Sequence, residues 1–539
     1  MHYRQTSNVL ITTAALLLVF VALVLPNRLD WIRGVAFNVF PLELVVIGLL
    51  LLLPARAGDG ARIVLALLLG LSILLRTADL ITHEIFARRF NLIFDTHLLA
   101  DAGRLLSGAL GSLAWLLAGL LMVLLAGLLC WLAFVTLGRL QRVLQRRPRV
   151  SLLTLVALLI AWGLLKQLGG VPRADAFAFR QLVEHGQDTI SSIRDIRVFN
   201  ETVGNDPMAG KADVSLLSKL EGKDVFIVFA ESYGRALLER DPFAESVNAR
   251  LSWAQDTLEA DGAQMRSAFL TAATVGGQSW LNHATLLSGA WIDSETRFRS
   301  LVVSDRVPLN RLFRDAGWRT VAALPAISMA WPEGAYYGYD RIYHAHNFGY
   351  EGEPFNWVTM PDQYVWSALH ARERDSGDAT RPPLMAELAL ISSHAPWTPI
   401  AELVPWDQVK DGRVFNDQAL AGPSPEQVWS NVETVRDHYR QSIEYMLETL
   451  VSYVTTFGDE SLVLLVLGDH PTAPRISGDA EDRDVPVHLI AYDPAVIDAI
   501  ADWHWQPGML PTADAPVWRM DRLRNRFIEA FSEPYKDTP

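Results

Sequence analysis

Long apolar runs alternate with short polar segments in the first third of the chain. Five runs are each long enough, at about 17 to 25 residues, to cross the hydrocarbon core of a bilayer as a helix. They cover residues 9–25, 37–53, 63–81, 113–137 and 152–168. The pattern predicts a five-helix transmembrane domain over residues 1–168. Arg76 and Asp79 lie in the third run at a spacing that places them on one helical face, where we expect an ion pair that snorkels to the interface.

The loop between the fourth and fifth runs fixes the predicted orientation. Its sequence, GRLQRVLQRRPRV, contains five arginines and no acid, which is typical of a cytoplasmic loop. The N-terminus is then cytoplasmic, and the fifth helix exports everything that follows. The first run lacks a small-residue cleavage site, so we expect a permanent anchor in a multi-pass membrane protein.

A different pattern begins after residue 168. Residues 169–223 predict a connector with short helices, because hydropathy drops and the apolar positions are only weakly periodic. Short apolar runs follow at 225–230, 388–391, 462–467 and 487–491, and they alternate with helical stretches such as 426–451. Such runs are typical of parallel strands that helices cover on both faces. The sequence therefore predicts an α/β domain over residues 224–539.

Charge and cysteine content exclude some functions. The net charge is -13, and no basic stripe is present in the second half, so nucleic acid is not an expected partner. Cys130 is the only cysteine and lies in an apolar run. The chain can form neither an internal disulfide framework nor a cysteine metal site.

Polar residues follow three of the apolar runs directly. Glu231 follows the first run, His394 closes the triplet Ser-Ser-His after the second, and Asp469-His470 follows the third. Ligands of open α/β sheets bind beyond the carboxyl ends of the strands, so these side chains are expected in one crevice. Two carboxylates and an imidazole suit one divalent ion, either zinc or manganese. Each residue alone could equally be a helix cap or a solvated loop end.

The segment TVGGQSWLNHATLLSG contains the candidate nucleophile. A Gly-Gly-Gln turn precedes Ser279, which begins an apolar-periodic helix, and Gly289 is placed as its C-terminal cap. Backbone N–H groups at a helix start favour a phosphoryl group, and a coordinated cation would activate the hydroxyl and make Ser279 a further metal ligand. Ser279 could instead be a simple N-cap, and Thr274 and Thr285 are rival nucleophiles.

Several histidines and aromatic residues are candidates for the substrate side. His394 could act as a general acid or hold a phosphate oxygen, or it could be a buried histidine bonded to a loop. His346 and Trp357 lie in a polar-aromatic stretch that is typical of a substrate loop. His488 alternates within a strand, where it is structural or reaches the metal region from the neighbouring strand.

The order of these segments resembles the sulfatase and alkaline phosphatase superfamily, in its membrane phosphotransferase branch. That branch includes lipoteichoic acid synthases, phosphoglycerol transferases and phosphoethanolamine transferases. The resemblance rests on FIVFAES, GGQS, SSHAPW and LVLGDH, which contain Glu231, Ser279, His394, Asp469 and His470, and on GYDRIYHA with NWVTMPDQ. It implies a metal-dependent enzyme of the bacterial inner membrane with a periplasmic or extracellular catalytic domain. It also implies a membrane phospholipid as donor and an envelope glycan or lipid as acceptor.

Two departures narrow the expected activity. Ser279 is followed by Trp-Leu-Asn-His rather than by the sulfatase pattern, which disfavours sulfate ester hydrolysis. Where lipoteichoic acid synthases hold glycerol phosphate with Trp-Asn-Arg, this chain aligns Trp331, Pro332 and Glu333. We therefore expect Trp331 and Glu333 on the substrate side, with phosphoglycerol or phosphoethanolamine as the transferred group. The alternatives are a periplasmic phosphodiesterase or sulfatase-like hydrolase and an inactive envelope scaffold.

Overall fold

The computed structural model describes residues 2–28, 37–99, 102–103, 107, 111–168, 173–208, 214–375, 380–478 and 482–534. The chain divides into two compact units. The helical unit comprises Met1–Glu84 and Arg88–Ile196, and the sheet unit comprises Ile85–Ala87 and Arg197–Pro539. Each unit is described by itself below.

The helical unit consists of long helices and one short strand pair. The helices are α1 (His2–Val24), α2 (Leu42–Leu51), α3 (Ala55–Phe86), α4 (Ser112–Leu144), α5 (Pro148–Leu168) and α6 (Phe177–Val203), the last of which continues into the sheet unit. Val39–Pro41 pairs in parallel with Arg173–Asp175. Buried side chains of α1, α2, α3 and α4 form a small apolar core.

Within the described residues, three helices are long and apolar enough to cross a membrane. They are Arg56–Phe86, Leu113–Leu144 and Pro148–Leu168, whereas Asn8–Val24 and Leu42–Leu51 are shorter apolar helices. The prediction of five spans is therefore not confirmed. In the second run, residues 39–41 form a strand and the helix ends before Pro54. The remaining ten residues rise about 15 Å, half of a typical hydrocarbon core.

The connector differs from the predicted short helices. Residues Phe177–Val203 form one helix of 27 residues. Its buried positions include Ala178, Gln181, His185, Phe199 and Val203, which recur at multiples of three and four residues along one face. A single continuous stripe of buried positions explains why one long helix forms.

Arg76 and Asp79 are buried and do not pair with each other as predicted. The Arg76 guanidinium donates to Gln181 Oε1 at 2.6 Å and to the carbonyl oxygens of Ala22 and Leu23 at 2.8 and 3.0 Å. Asp79 instead lies 3.1 Å from His185 Nε2. The terminal carbonyls of α1 lack helical partners and provide acceptors for the arginine, which explains the different pairing.

The sheet unit is built on nine strands. In chain order they are β1 (Asp224–Ala230), β2 (Gln264–Thr271), β3 (Arg319–Leu324), β4 (Arg341–His344), β5 (Leu384–Leu390), β6 (Leu462–Gly468), β7 (Asp484–Ala491), β8 (Gln506–Pro507) and β9 (Val517–Arg519). Their order across the sheet is β8-β2-β7-β6-β1-β5-β3-β4, and β9 also pairs with β2. A separate pair joins Val214–Ser215 to Glu533–Pro534.

Helices cover both faces of this sheet. They are α7 (Ala236–Glu239), α8 (Ala244–Ala260), α9 (Ser279–Ser288), α10 (Glu295–Val302), α11 (Leu309–Asp315), α12 (Gly334–Tyr337), α13 (Asp362–Leu369), α14 (Trp406–Val409), α15 (Asn416–Ala419), α16 (Pro425–Val428), α17 (Val432–Phe457), α18 (Pro474–Ser477), α19 (Pro494–Asp498) and α20 (Leu523–Phe531). Short 3₁₀ turns cover Ser218–Leu220, Arg413–Phe415, Ala501–Trp503 and Met520–Arg522, and a π-helical turn covers His370–Arg374.

Strand β1 shows why its run is apolar throughout. Phe226 and Val228 belong to the core that α8 and α17 complete, whereas Ile227 and Phe229 belong to the core that α9 and α20 complete. A strand with a core on each face needs apolar residues at every position. The predicted α/β fold with helices on both faces is confirmed.

Two details of the sheet unit differ from the sequence prediction. Strand β7, predicted as parallel, runs antiparallel to both β6 and β2. Among the described residues of the 15-residue connection between β6 and β7, α18 is the one helix, and so short a connection returns the chain to the sheet at the end where it left. The helical stretch predicted over 426–451 is divided into α16 and α17, since Asn431 caps a new helix that ends at Phe457.

Candidate active site

The carboxyl ends of three adjacent parallel strands deliver the candidate ligands to one edge of the sheet. Strand β1 pairs with β6 on one side and with β5 on the other, and Ala230 is opposite Gly468. Glu231 and Asp469 therefore leave neighbouring strands at the same level. The amide of Ser232 donates to Asp469 Oδ1 at 2.8 Å, which ties the two strand ends together.

Glu231, Asp469 and His470 form a buried cluster. Within the described residues they are the group whose ligand atoms lie within 4.8 Å of one another in a way that could hold a metal ion. His470 Nε2 lies 3.4 Å from Glu231 Oε1 and 3.6 Å from Asp469 Oδ2. His470 Nδ1 lies 3.0 Å from the carbonyl of Pro471, so this nitrogen carries the hydrogen and Nε2 turns its lone pair to the cluster.

Ser279 is the first residue of α9 and faces this cluster. Its Oγ donates to Glu231 Oε2 at 3.1 Å and lies 3.2 Å from His470 Nε2. The N-cap position is occupied by Gln278, whose φ of 65° is left-handed, and this turn releases Ser279 from a capping role. Gly289 ends the helix with a φ of 62°, as predicted.

The two rival hydroxyls are held inside the protein. Thr274 Oγ1 donates to the carbonyl of Gly277 at 2.8 Å and accepts from Asn282 Nδ2 at 2.6 Å. Thr285 is fully buried, and its Oγ1 donates to the carbonyl of Leu281 at 2.7 Å. Neither hydroxyl lies with the carboxylates and the imidazole, which leaves Ser279 as the candidate nucleophile.

The electrostatics of the cluster fit a cation. Burial, together with the charge of Glu231, raises the pKa of Asp469 to about 6. Burial opposes ionisation of Glu231, but the imidazoles of His470 and His394 outweigh it, so the pKa of Glu231 is lowered. Two carboxylates buried side by side repel each other unless a cation or a proton lies between them. With an imidazole and a hydroxyl beside them, they offer the donor set that zinc and manganese accept.

His394 lies on the loop that follows β5 and is exposed. Its Nδ1 lies 2.6 Å from the carbonyl of Ala395, and its imidazole is close enough to Glu231 to lower the pKa of that carboxyl. The preceding Ser393 hydroxyl donates to the carbonyl of Glu231 at 2.6 Å. The loop therefore presents His394 beside the cluster.

Asp362, at the start of α13, holds the same loop. Its Oδ1 accepts from the amide of Ser392 at 3.0 Å, and its own amide donates to Ser392 Oγ at 2.9 Å. Its Oδ2 is buried without a hydrogen-bond partner among the described residues. Burial raises the pKa of Asp362 to about 7.

A pH-dependent stability follows from Asp362. Because its folded pKa lies above the unfolded value near 3.9, the neutral form stabilises the fold below about pH 4, and this stabilisation is lost as pH rises towards 7. We expect Asp362→Asn, which retains the Oδ1 acceptor, to flatten the fall of Tm across this range. Tryptophan fluorescence on the full chain in detergent measures the slope, and Asp407→Asn is the exposed control. Parallel slopes in Asp362→Asn and wild type would contradict this assignment.

Three residues predicted on the substrate side have other surroundings. His488 is buried in β7, where its ring nitrogens lie 2.7 Å from Ser267 Oγ and 3.2 Å from Tyr233 Oη. Both nitrogens have partners in the core and burial lowers the pKa of His488 to about 3, so these contacts favour the structural alternative over a role in substrate binding. His346 contacts the carbonyl of Ser328 at 2.9 Å, and Trp357 is 66% exposed, so both lie on surface loops.

Trp331 and Glu333 lie in the loop after β3, and Trp331 packs beside Tyr337. The rings of Trp331 and Tyr337 are 5.5 Å apart, and those of Tyr337 and Tyr339 are 6.0 Å apart. Burial, with the charges of Glu387 and Glu333 adding to it, raises the pKa of Tyr337 well above its usual range. We call Trp331, Tyr337 and Tyr339 the aromatic wall.

Two buried residues near the nucleophile were not predicted from the sequence. His283 Nδ1 lies 2.7 Å from Glu387 Oε1, and Tyr339 of the aromatic wall donates its hydroxyl to Glu387 Oε2. The sequence nevertheless contains a signal for His283 and one for Glu387. His283 follows Ser279 by four residues, which places both on one face of α9, and Glu387 is the acid that interrupts the apolar segment LMAELAL.

Comparison with protein-family models finds no match for this chain, and comparison with curated proteins finds none. Solved structures do match. The chain is similar to lipoteichoic acid synthase from Listeria monocytogenes at 14% identity, over 61% of this chain and 76% of that one, with a TM-score of 0.38. It is similar to phosphoglycerol transferase from Streptococcus pyogenes at 11% identity, over 64% and 91%, with a TM-score of 0.34.

A third match includes the N-terminal helices. Lipooligosaccharide phosphoethanolamine transferase A from Neisseria meningitidis, an integral membrane protein, matches at 12% identity over 93% of this chain and 88% of that one, with a TM-score of 0.43. All three likenesses are distant, and the function proposed below therefore rests on the side chains of the site. The chain is similar to solved structures of the three kinds of membrane phosphotransferase that its sequence resembles.

Proposed function

We propose that this protein is a metal-dependent phosphotransferase. It takes a head-group phosphate ester from a membrane phospholipid onto Ser279 and passes it to an envelope glycan or lipid. The observation that supports this most is the position of the Ser279 hydroxyl, at the start of a helix and within 3.2 Å of both a buried carboxylate and a buried imidazole. A serine used only as a helix cap would not require two buried acids beside it.

Each residue of the site has a separate proposed role. Glu231, Asp469, His470 and the Ser279 hydroxyl would hold one manganese or zinc ion, whose bound charge would lower the hydroxyl pKa and offset phosphoryl charge. The Ser279 hydroxyl loses its proton to solvent before the lipid reacts, and the alkoxide Oγ attacks phosphorus, so the Oγ–P bond forms while the bond from phosphorus to the diacylglycerol oxygen breaks. His394 gives a proton to that leaving oxygen and later takes one from the acceptor hydroxyl. The second displacement releases the serine as the same alkoxide.

Helix α9 assists at the phosphoryl group. Ser279 is its first residue. The N–H groups at the start of a helix are short of helical acceptors and favour the negative oxygens of a phosphate. The acceptor hydroxyl then attacks phosphorus and releases the serine oxygen, which regenerates the enzyme. Two successive displacements on one nucleophile give ping-pong kinetics.

Mass spectrometry of the purified full chain tests the proposal. After incubation with a phospholipid and manganese, the peptide containing Ser279 should gain the mass of a phospho-linked head group. Product that accumulates without any acceptor would favour a phosphodiesterase. A chain that binds no metal and never modifies Ser279 would be an inactive scaffold.

The loop after β3 supports a cationic head group. Glu333 occupies the position where the resembling synthases have an arginine, and its carboxylate lies close enough to Tyr337 to act on that side chain's pKa. An acid beside an aromatic ring attracts an ammonium through charge and cation–π contact. We infer that phosphatidylethanolamine is preferred to phosphatidylglycerol.

A charge reversal tests this preference. Offered the two lipids separately, wild type should turn over phosphatidylethanolamine faster, and Glu333→Arg should reduce the ratio of kcat/KM values by about tenfold or invert it. Glu402→Arg, on an exposed loop, is the matched control. A ratio that does not change in Glu333→Arg would remove this residue from the site.

The proposed orientation places the sheet unit outside the cytoplasm of a bacterial inner membrane, because an arginine-rich segment such as residues 139–149 is expected on the cytoplasmic side. A periplasmic reporter fused after Asp224 should be active, and one fused after Gln145 should be silent. Alkaline phosphatase and green fluorescent protein fusions give opposite readouts at each point. Reversed activities would overturn the envelope location.

A further inference from the structure

Glu387 is a carboxylate in the middle of a buried parallel sheet. It lies on β5, opposite Ile227 of β1 and Ala322 of β3, and only 2% of it is exposed. Its two oxygens are occupied by His283 and Tyr339. A buried charge costs stability unless it is fully hydrogen bonded, and an apolar residue would fill this position more simply. The proposed transfer steps give this carboxylate no task.

His283 connects Glu387 to the nucleophile. It lies one helical turn after Ser279 on α9, and its ring stacks on Phe229 with centroids 3.7 Å apart and planes at 13°. Phe229 precedes Glu231 by two residues on β1. The carboxylate below and the phenyl ring beside it fix the orientation of the imidazole.

One edge of this imidazole is open. Its Nδ1 is committed to Glu387, and 11% of the side chain is exposed. Among the described residues, Nε2 has no hydrogen-bond partner. It is absent from the buried side-chain atoms that lack a partner, so Nε2 is accessible from outside the protein core. In the tautomer with its hydrogen on Nδ1, donated to the carboxylate, Nε2 is an acceptor with a fixed direction.

The same network continues into the aromatic wall. Tyr339, which donates to Glu387, stacks on Tyr337, and Tyr337 contacts Trp331. A continuous series of contacts thus runs from the helix of the nucleophile to the loop that contains Glu333. This series joins the imidazole of His283, the carboxylate of Glu387 and the three rings of the aromatic wall.

We propose that His283, oriented by Glu387, is a specificity-determining residue whose Nε2 accepts a hydrogen bond from the head group of the phospholipid donor. This inference rests on the proposed function. The head group must then offer an N–H or O–H hydrogen, and a positive charge alone does not satisfy the site. Glu387 is a positioning residue, because it acts through the imidazole.

Methylation of the donor amine tests the hydrogen bond without changing the charge. Phosphatidylethanolamine has three N–H hydrogens, its N,N-dimethyl derivative has one, and phosphatidylcholine has none. Wild type should lose kcat/KM by about tenfold or more at the last methylation, where the final hydrogen disappears. In His283→Leu the loss of kcat/KM at the last methylation should shrink to about twofold or less. His283→Gln, which restores an acceptor oxygen, should recover part of the wild-type loss.

Controls separate folding from recognition. His370→Leu alters a histidine that packs on Phe457 outside the site. This variant should lose as much kcat/KM at the last methylation as wild type does. Metal binding and the Ser279 adduct with phosphatidylethanolamine, measured on each variant, report an intact site. If wild type forms the adduct but His283→Leu still loses kcat/KM at the last methylation as wild type does, the role proposed for His283 is wrong. The proposed phosphotransferase function is then unaffected. If wild type forms no adduct with any of the three lipids, the proposed function itself fails.

Discussion

Replacing Ser279 with alanine should abolish turnover and leave the fold intact. The hydroxyl is the proposed attacking group, and removal of a nucleophile from a covalent mechanism costs about 10⁴-fold or more in kcat. Stability should change little, because Gln278 and not Ser279 occupies the N-cap. Release of diacylglycerol from radiolabelled phospholipid measures turnover, and thermal unfolding measures the fold.

Two hydroxyl variants complete this test. Thr274→Ser retains the hydrogen bonds to Gly277 and Asn282 and should be active. Ser279→Thr retains a hydroxyl and should retain measurable turnover, whereas Ser279→Ala should form no phospho-adduct. Turnover by the alanine variant at more than a hundredth of the wild-type rate would move the nucleophile elsewhere.

Loss of either buried carboxylate should also reduce turnover severely. Glu231→Gln and Asp469→Asn each remove one negative charge from the predicted ligand set, and we expect kcat to fall by about 10³-fold or more with weaker metal binding. Chelation of wild type should have the same effect, and manganese or zinc should restore activity. Metal content and the rise of Tm on metal addition are the measurements.

The matched control for these acids is Glu402→Gln, an exposed carboxylate outside the cluster. It should bind metal as wild type does. Activity that survives thorough chelation, with the metal content shown to be zero, would contradict a metal-dependent reaction. Unchanged metal affinity in both acid variants would place the ion elsewhere.

The sequence predicted that Glu231, Asp469 and His470 lie together, because its signals for them are local. Glu231 and Asp469 each follow a continuous apolar run, and parallel strands end at one edge, so convergence could be inferred without coordinates. Ser279 was recognisable because glycines mark both ends of its helix. The assignment of each of these residues depends on residues adjacent to it in the chain, so it can be made from the sequence.

Other features depend on contacts between distant segments, which explains why they were missed. The direction of β7 is set by how the chain turns after Asp469, and a fully buried strand has the same apolar pattern in either direction. His488 alternates in that strand, but Tyr233 and Ser267 decide that its nitrogens face the core. The pair of His283 and Glu387 joins residues 104 positions apart.

The arrangement of strands also bears on how this protein can evolve. The residues proposed for chemistry directly follow the central strands β1 and β6 or begin α9, and the two apolar cores constrain these elements. Trp331 and Glu333 lie on a loop after β3, next to the edge strand β4. Substitutions in that loop have little cost to the central packing. If the proposed function holds, donor preference can diverge between descendants of this protein while the proposed phosphoryl chemistry stays the same.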